Sequence, residues 1–184
     1  MNKSDIRKYY KKLRLELPSV TAAQKSKNIC NKIKRTDVFK CAENVMIYLP
    51  FNGEVDVLPL GYECIKTNKK LYVPLVCGDT MKACRVYGFD FEKDYAKNKF
   101  GIYEPLNTCE CVNADMLDLI IAPAVAADTQ NTLLGYGGGY YDKFLCNANV
   151  CTFAACYDFQ IVKPPLYIPR GEFDIQMDYV FTNN

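Results

Sequence analysis

The chain has 184 residues, 49% of them apolar and 24% charged, which suits one folded domain over residues 1–184 with a buried core. No apolar run approaches the roughly 18 to 20 residues of a membrane span, and the polar, basic opening lacks the apolar stretch of a secretory signal, so a cytoplasmic location is expected. There is no histidine; Ser-His-Asp and Cys-His schemes are therefore excluded, and any chemistry rests on carboxylates, Lys, Arg, Tyr, Cys, backbone dipoles or a bound ion. In chain order, residues 4–17 carry Ile6, Tyr9 or Tyr10, Leu13 and Leu17 at helical spacing, ended by Pro18. Thr21 to Gln24 has the pattern of a capping box and opens a second helix carrying Ile29 and Ile33. Val45 to Leu49 is a predicted strand, and Pro59 suits the first turn of a helix to Thr67. Strands follow at 70–76 and 81–87 around a Gly78-Asp79 turn, then a loop-rich stretch over 88–116, then a buried strand at 117–122. A helix from Tyr141 to Asn147 and strands at 150–157 and 179–182 complete the chain. Strands alternating with helices predict an α/β fold, a three-layer α-β-α domain with a largely parallel or mixed central sheet.

Residues 1–40 hold twelve Lys and Arg against three Asp and Glu, while the remainder holds eleven against eighteen. Such a segment could grip nucleic acid, a membrane surface or a compact anion, or form a solvated helix face against the acidic body. No nucleic-acid motif accompanies it. The ten cysteines read as reduced, several of them inside apolar segments. Only Cys109-Glu110-Cys111 is tightly spaced, and without histidine or a C-x-x-C pair it lacks the usual zinc spacing.

Four of the ten glycines fall in Gly135-Tyr136-Gly137-Gly138-Gly139, between the buried strand and a helix start. The run is expected directly after the carboxyl end of that strand, where α/β folds bind ligands. Glycine allows close backbone approach, and unpaired N–H groups at a helix start favour anions; a tight structural turn is the alternative. The run lacks the Lys-Ser/Thr of a Walker A loop, because Tyr140-Tyr141 stands there. It also lacks the last glycine of a dinucleotide fingerprint.

Gly135-Tyr136-Gly137-Gly138-Gly139-Tyr140-Tyr141-Asp142 resembles the signature of the 5-formyltetrahydrofolate cyclo-ligases. Further blocks resemble the same family in its order: Lys3 to Arg7, Tyr48 to Asp56, Phe100 to Pro105, Asp118 to Pro123, Asp158 to Gln160 and Asp174 to Asp178. The resemblance implies an enzyme of one-carbon metabolism that uses ATP and Mg²⁺ to close 5-formyltetrahydrofolate into 5,10-methenyltetrahydrofolate, with no covalent enzyme intermediate. It implies ATP binding by Lys3, Arg7, Leu134, Gly135, Tyr136, Gly137, Gly138, Gly139, Tyr140 and Tyr141. It implies folate binding by Leu49, Glu54, Tyr136, Gly137, Gly138, Gly139 and Tyr140, and a metal at Asp142 and Asp174. Without the resemblance, Lys3 and Arg7 are two solvated charges on one helix face, Asp142 an acid interacting with a helix dipole, and Asp174 a loop acid. The implied partners are these two small molecules, with no nucleic acid and no membrane, and the chain is expected to be a monomer. Leu133 stands where the family often carries an arginine, leaving Lys143 or Arg170 as the cations that could compensate. The alternatives are a folate- or nucleotide-binding relative without turnover and, further off, a basic nucleic-acid-binding module.

Overall fold

Central strands that are apolar at every position bury both faces of a sheet, so helices or loops must cover each side. The computed structural model describes residues 2–106, 110–172 and 174–184. Helices α1 (Lys3–Leu15), α2 (Ser19–Arg35) and α3 (Asp37–Cys41) precede strand β1 (Asn44–Ile47). Then come α4 (Leu58–Lys66), β2 (Lys70–Cys77), β3 (Thr80–Val86), β4 (Tyr95–Lys97), β5 (Tyr103–Pro105) and β6 (Cys111–Val112). The chain continues through β7 (Leu119–Pro123), β8 (Ala126–Asp128), β9 (Leu133–Leu134), α5 (Tyr140–Leu145), β10 (Cys151–Ala155), β11 (Ile161–Val162) and β12 (Tyr179–Phe181).

Seven strands form the main sheet in the order β12-β10-β7-β1-β2-β3-β6. The run from β12 to β2 is parallel, and β3 and β6 are added antiparallel. Alternation divides each central strand between two cores. Ile47, Leu119, Ile121 and Phe153 pack with Ile29 and Ile33 of α2, Phe39 of α3 and Leu60 of α4. Met46, Ile120, Ala122 and Ala154 face the other way, toward Leu145 of α5 and Met177. The layers are unequal: α2, α3 and α4 cover one face, and one six-residue helix with loops covers the other. A small sheet, β11-β8-β9, carries α1 through contacts of Ile6 and Tyr10 with Ala126 and Leu134.

Several expectations need correcting. Helix α2 starts at Ser19, straight after Pro18, with no side-chain cap, rather than at a Thr21 capping box; proline fixes its own φ near the helical value and can serve as the entry residue. The glycine run does not follow β7 directly, because β8 and β9 intervene. Cys84 and Cys111 are joined in a disulfide, contrary to the expectation of reduced cysteines. The reason is register: they stand opposite one another on β3 and β6, with Cα atoms 4.0 Å apart, and β6 lies in the stretch read as loop. Cys109 of the Cys-Glu-Cys motif lies outside the described residues. Among the described residues, no helix is long and apolar enough to cross a membrane.

Candidate active site

Parallel strands place their carboxyl ends along one edge, and the chain segments leaving β1, β7 and β10 meet there. After β1 comes a tight turn at Phe51–Glu54, closed by the Glu54 N–H donating to the Phe51 carbonyl at 3.1 Å. Asn52 and Gly53 both take positive φ, 49° and 72°. The turn carries Glu54 inward, where its carboxylate accepts the Phe51 N–H at 2.9 Å. Helix α1 supplies the counter-charge. Arg14 is only 2% exposed. Its Nε donates to the Asn52 carbonyl at 2.9 Å, Nη1 to the Ala124 carbonyl at 3.2 Å, and Nη2 to the Tyr136 hydroxyl. Nη1 also lies 3.9 Å from the Glu54 carboxylate. Tyr136 in turn interacts electrostatically with the Glu54 carboxyl, which joins Arg14, Tyr136 and Glu54 in a triangle.

Burial pushes the Glu54 carboxyl up to about 7, although Arg14, the Phe51 N–H and Tyr136 all pull it down. Tyr141 is raised as well, first by burial and then by Glu54. Its hydroxyl is buried with no hydrogen-bond partner. A buried orphan hydroxyl is a place where a polar ligand group belongs. Tyr48 and Tyr157 close the floor, donating to the carbonyls of Val55 at 2.8 Å and Glu54 at 3.3 Å.

The other end of the site is cationic. Arg7 Nε donates to the Gly135 carbonyl at 2.8 Å, which ties the first half of α1 to the glycine loop. Gly137 has φ 103°, a conformation that glycine adopts at little cost. A Cβ there would stand 3.3 Å from the Arg7 guanidinium carbon. Lys3 pairs with Asp174, which also accepts the Gly171 N–H. Burial raises the Asp174 carboxyl, but the Lys3 and Gly171 hydrogen bonds outweigh it and the net shift is downward. Asp142, in the first turn of α5, accepts the Ile175 N–H at 3.1 Å, so the two acids expected at a metal meet at neighbouring residues of one segment. Between the two ends, Lys11 lies 4.4 Å from the Tyr136 ring centroid. Burial and then the nearby Arg14 and Arg7 lower its ammonium group.

The structure thus brings together Lys3 with Asp174, Arg7 with Gly135 and Gly137, Asp142 with the Asp174 segment, and Tyr136 with Glu54. Leu49 and Leu134 are buried in apolar clusters and can offer a ligand only a wall. Tyr140 and Tyr141 both pack on the opposite core with Leu145 and Met177, and the Tyr140 ring lies against Gly138 of the loop. Lys143 is directed to Asp79, at 3.2 Å, and so is committed away from the loop; Arg170 stands beside Asp174, donating to its carbonyl at 3.3 Å. Other basic side chains of the first 40 residues form ion pairs, Lys25 with Asp158, Lys34 with Glu63 and Lys40 with Asp37. Arg14 escaped the sequence reading. The available signal was its position one turn after Tyr10 and two turns after Ile6, a charge on the inward face of α1.

Residues 1–183 match the family model described as the 5-formyltetrahydrofolate cyclo-ligase family. The chain belongs to that family. It is 28% identical over 146 residues to the 5-formyltetrahydrofolate cyclo-ligase of Haemophilus influenzae, covering 79% of this chain and 78% of the relative. The NMR structure of Aquifex aeolicus 5,10-methenyltetrahydrofolate synthetase superposes with a TM-score of 0.85 at 33% identity, over 100% of this chain and 90% of that one. The Mycoplasma pneumoniae synthetase shares the fold, with a TM-score of 0.81 at 19% identity over the full length of both chains.

Proposed function

We propose that this cyclo-ligase family member acts as one domain and closes 5-formyltetrahydrofolate into 5,10-methenyltetrahydrofolate at the expense of ATP, releasing ADP and phosphate. The observation that carries this reading is a single glycine loop between two chemically distinct environments. Its backbone at Gly135 and Gly137 meets Arg7, with Lys3, Asp174 and Asp142 gathered where α5 meets the segment at 174–175; its Tyr136 side chain reaches the Arg14–Glu54 pair. Phosphates suit the first, and the hydrogen-bond donors of a pterin ring suit the second. Lys3, Arg7 and the backbone N–H groups of Gly135–Gly139 bind the nucleotide, with Leu134, Tyr140 and Tyr141 shaping its surroundings. Glu54, Leu49, Tyr136 and the orphan Tyr141 hydroxyl receive the folate, so Tyr141 serves both ligands.

In the proposed reaction the formyl oxygen attacks the γ-phosphorus and ADP leaves. N10 of the folate then attacks the activated formyl carbon and gives up its proton to water, and the carbon–oxygen bond breaks to release phosphate. Every group the chain supplies here orients a substrate or neutralises charge, as phosphoryl transfer requires. Asp142 and Asp174 are hard oxygen donors on adjoining segments and fit a Mg²⁺ that takes its remaining ligands from phosphates and water; bound there, the ion supplies charge neutralisation on those phosphates. We further propose that the protein works as a cytoplasmic monomer.

Product formation is followed by methenyltetrahydrofolate absorbance with and without ATP, and product only with ATP is expected. Intact binding of both substrates without product would instead favour a relative that has lost turnover, a reading that the half-buried Leu133 motivates. Asp142→Asn keeps an acceptor for the Ile175 N–H and so preserves the fold. It is expected to lower turnover at limiting Mg²⁺ on the order of tenfold, and an unchanged Mg²⁺ titration would remove Asp142 from the metal site.

A further inference from the structure

One guanidinium ties together three segments of the folate end. Arg14 is buried, holds the carbonyls of Asn52 and Ala124 and the Tyr136 hydroxyl, and lies against the Glu54 carboxylate. These partners come from three separate segments: the turn after β1, the residue after β7, and the glycine loop. The Tyr136 side chain remains 38% exposed and carries Lys11 over its ring, so its ring faces the site while its hydroxyl is committed inward. Gly53 brings the turn close to α1, since a Cβ there would lie 3.3 Å from the Arg14 carbonyl oxygen.

We propose that Arg14 is the positioning residue of the folate end: it fixes the Glu54 carboxyl and the Tyr136 ring in one geometry, and so governs affinity for the formyl folate and not for the nucleotide. The inference rests on the function proposed above. A planar guanidinium with five fixed donors suits the task, whereas a lysine ammonium offers one point of charge. Arg14 also opposes the effect of burial on Glu54. The groups facing that carboxyl are Arg14 from α1, the Phe51 N–H, Tyr136 from the glycine loop, Tyr141 from α5, Tyr48 after β1 and Tyr157 after β10. Of these, only Arg14 is a cation, so its loss moves the Glu54 titration upward.

The test compares wild type with Arg14→Gln, Arg14→Lys and Tyr136→Phe, measuring Michaelis constants for both substrates between pH 6 and 8.5 and a thermal midpoint for each variant. Arg14→Gln is expected to raise the formyl folate KM on the order of tenfold or more, to leave the ATP KM within about twofold, and to move the acid limb of kcat/KM upward by about one pH unit. Arg14→Lys is expected to raise the folate KM while leaving that limb near its wild-type position. Tyr136→Phe removes one link without stranding a charge, and it carries the test if Arg14→Gln does not fold; the same split between the two substrates is expected. Equal losses for both substrates, or an unmoved acid limb in Arg14→Gln, overturn the proposal while wild-type turnover leaves the functional reading standing. Wild-type protein that neither binds nor converts formyl folate overturns both.

Discussion

Gly137→Val is expected to lower kcat/KM for ATP on the order of a hundredfold, with a much smaller effect on the folate Michaelis constant. Two features combine at this position. The backbone holds φ 103°, which a β-branched residue resists. The new side chain would also grow toward Arg7, whose guanidinium carbon lies 3.3 Å from the Cβ position. Arg7 would be pushed off the Gly135 carbonyl, and the loop N–H groups would be shielded from phosphate. Gly135→Ala is the matched control: its φ is not positive, and a Cβ there meets nothing within 4 Å. Steady-state kinetics for both variants at saturating folate decide the matter. Wild-type ATP kinetics in Gly137→Val would make the loop a structural turn. Gly138 is a weaker site for this test, because a Cβ there meets the Tyr140 ring at 2.7 Å, and a half-buried ring can turn aside.

Glu54→Gln is expected to lower kcat/KM for formyl folate on the order of a hundredfold, because a charged acceptor is lost and Arg14 is left buried without its anion. The pH dependence gives a second readout. The Glu54 carboxyl lies at about 7 in the folded protein against an ordinary value of 4.5. Between those values the folded chain holds a proton that the unfolded chain has released. Stability therefore falls as pH rises through this window. Thermal midpoints of the wild type should show that decline between about pH 5 and 7, and Glu54→Gln should lack this component. Activity runs the opposite way, since the ionised carboxylate is the stronger acceptor. Wild-type kcat/KM for formyl folate should climb through pH 7, and a flat profile would remove Glu54 from folate binding.

The long strands and the helices at 3–15, 19–35 and 58–66 were legible because their apolar periods are strong. Of the short elements, β1, β7, β10 and β12 were legible as apolar runs, whereas α3, β4, β5, β6, β8, β9 and β11 were not: they form because neighbours supply their partners, and no local period marks them. The disulfide was hidden for the same reason, since without β6 nothing set Cys111 opposite Cys84. At the site, the loop stood out through its density of glycines and Glu54 through motif resemblance, and the pairing of Lys3 with Asp174, 171 positions away, is a tertiary contact that no spacing reveals. Arg14 and the orphan Tyr141 hydroxyl became visible only with packing. A charged residue in a basic helix looks like solvent-facing charge until its neighbours are known. The pairing of Lys143 with the turn at Asp79 is likewise a tertiary contact that no spacing in the sequence marks.

Helix α1 contributes Lys3 beside Asp174, Arg7 at the loop and Arg14 beside the turn after β1. A helix advances about 1.5 Å and turns about 100° per residue. Under the proposed function it therefore serves as a gauge that sets the separation of the two substrates in fixed steps. Substitutions at its outer positions leave that gauge alone. Deleting a single residue between Arg7 and Arg14 would swing one half of the site about a quarter-turn away from the other, and an insertion of one helical turn would restore the facing while stretching the site by about 5 Å. The spacing along α1 is accordingly a constraint on chain length, separate from any constraint on residue type.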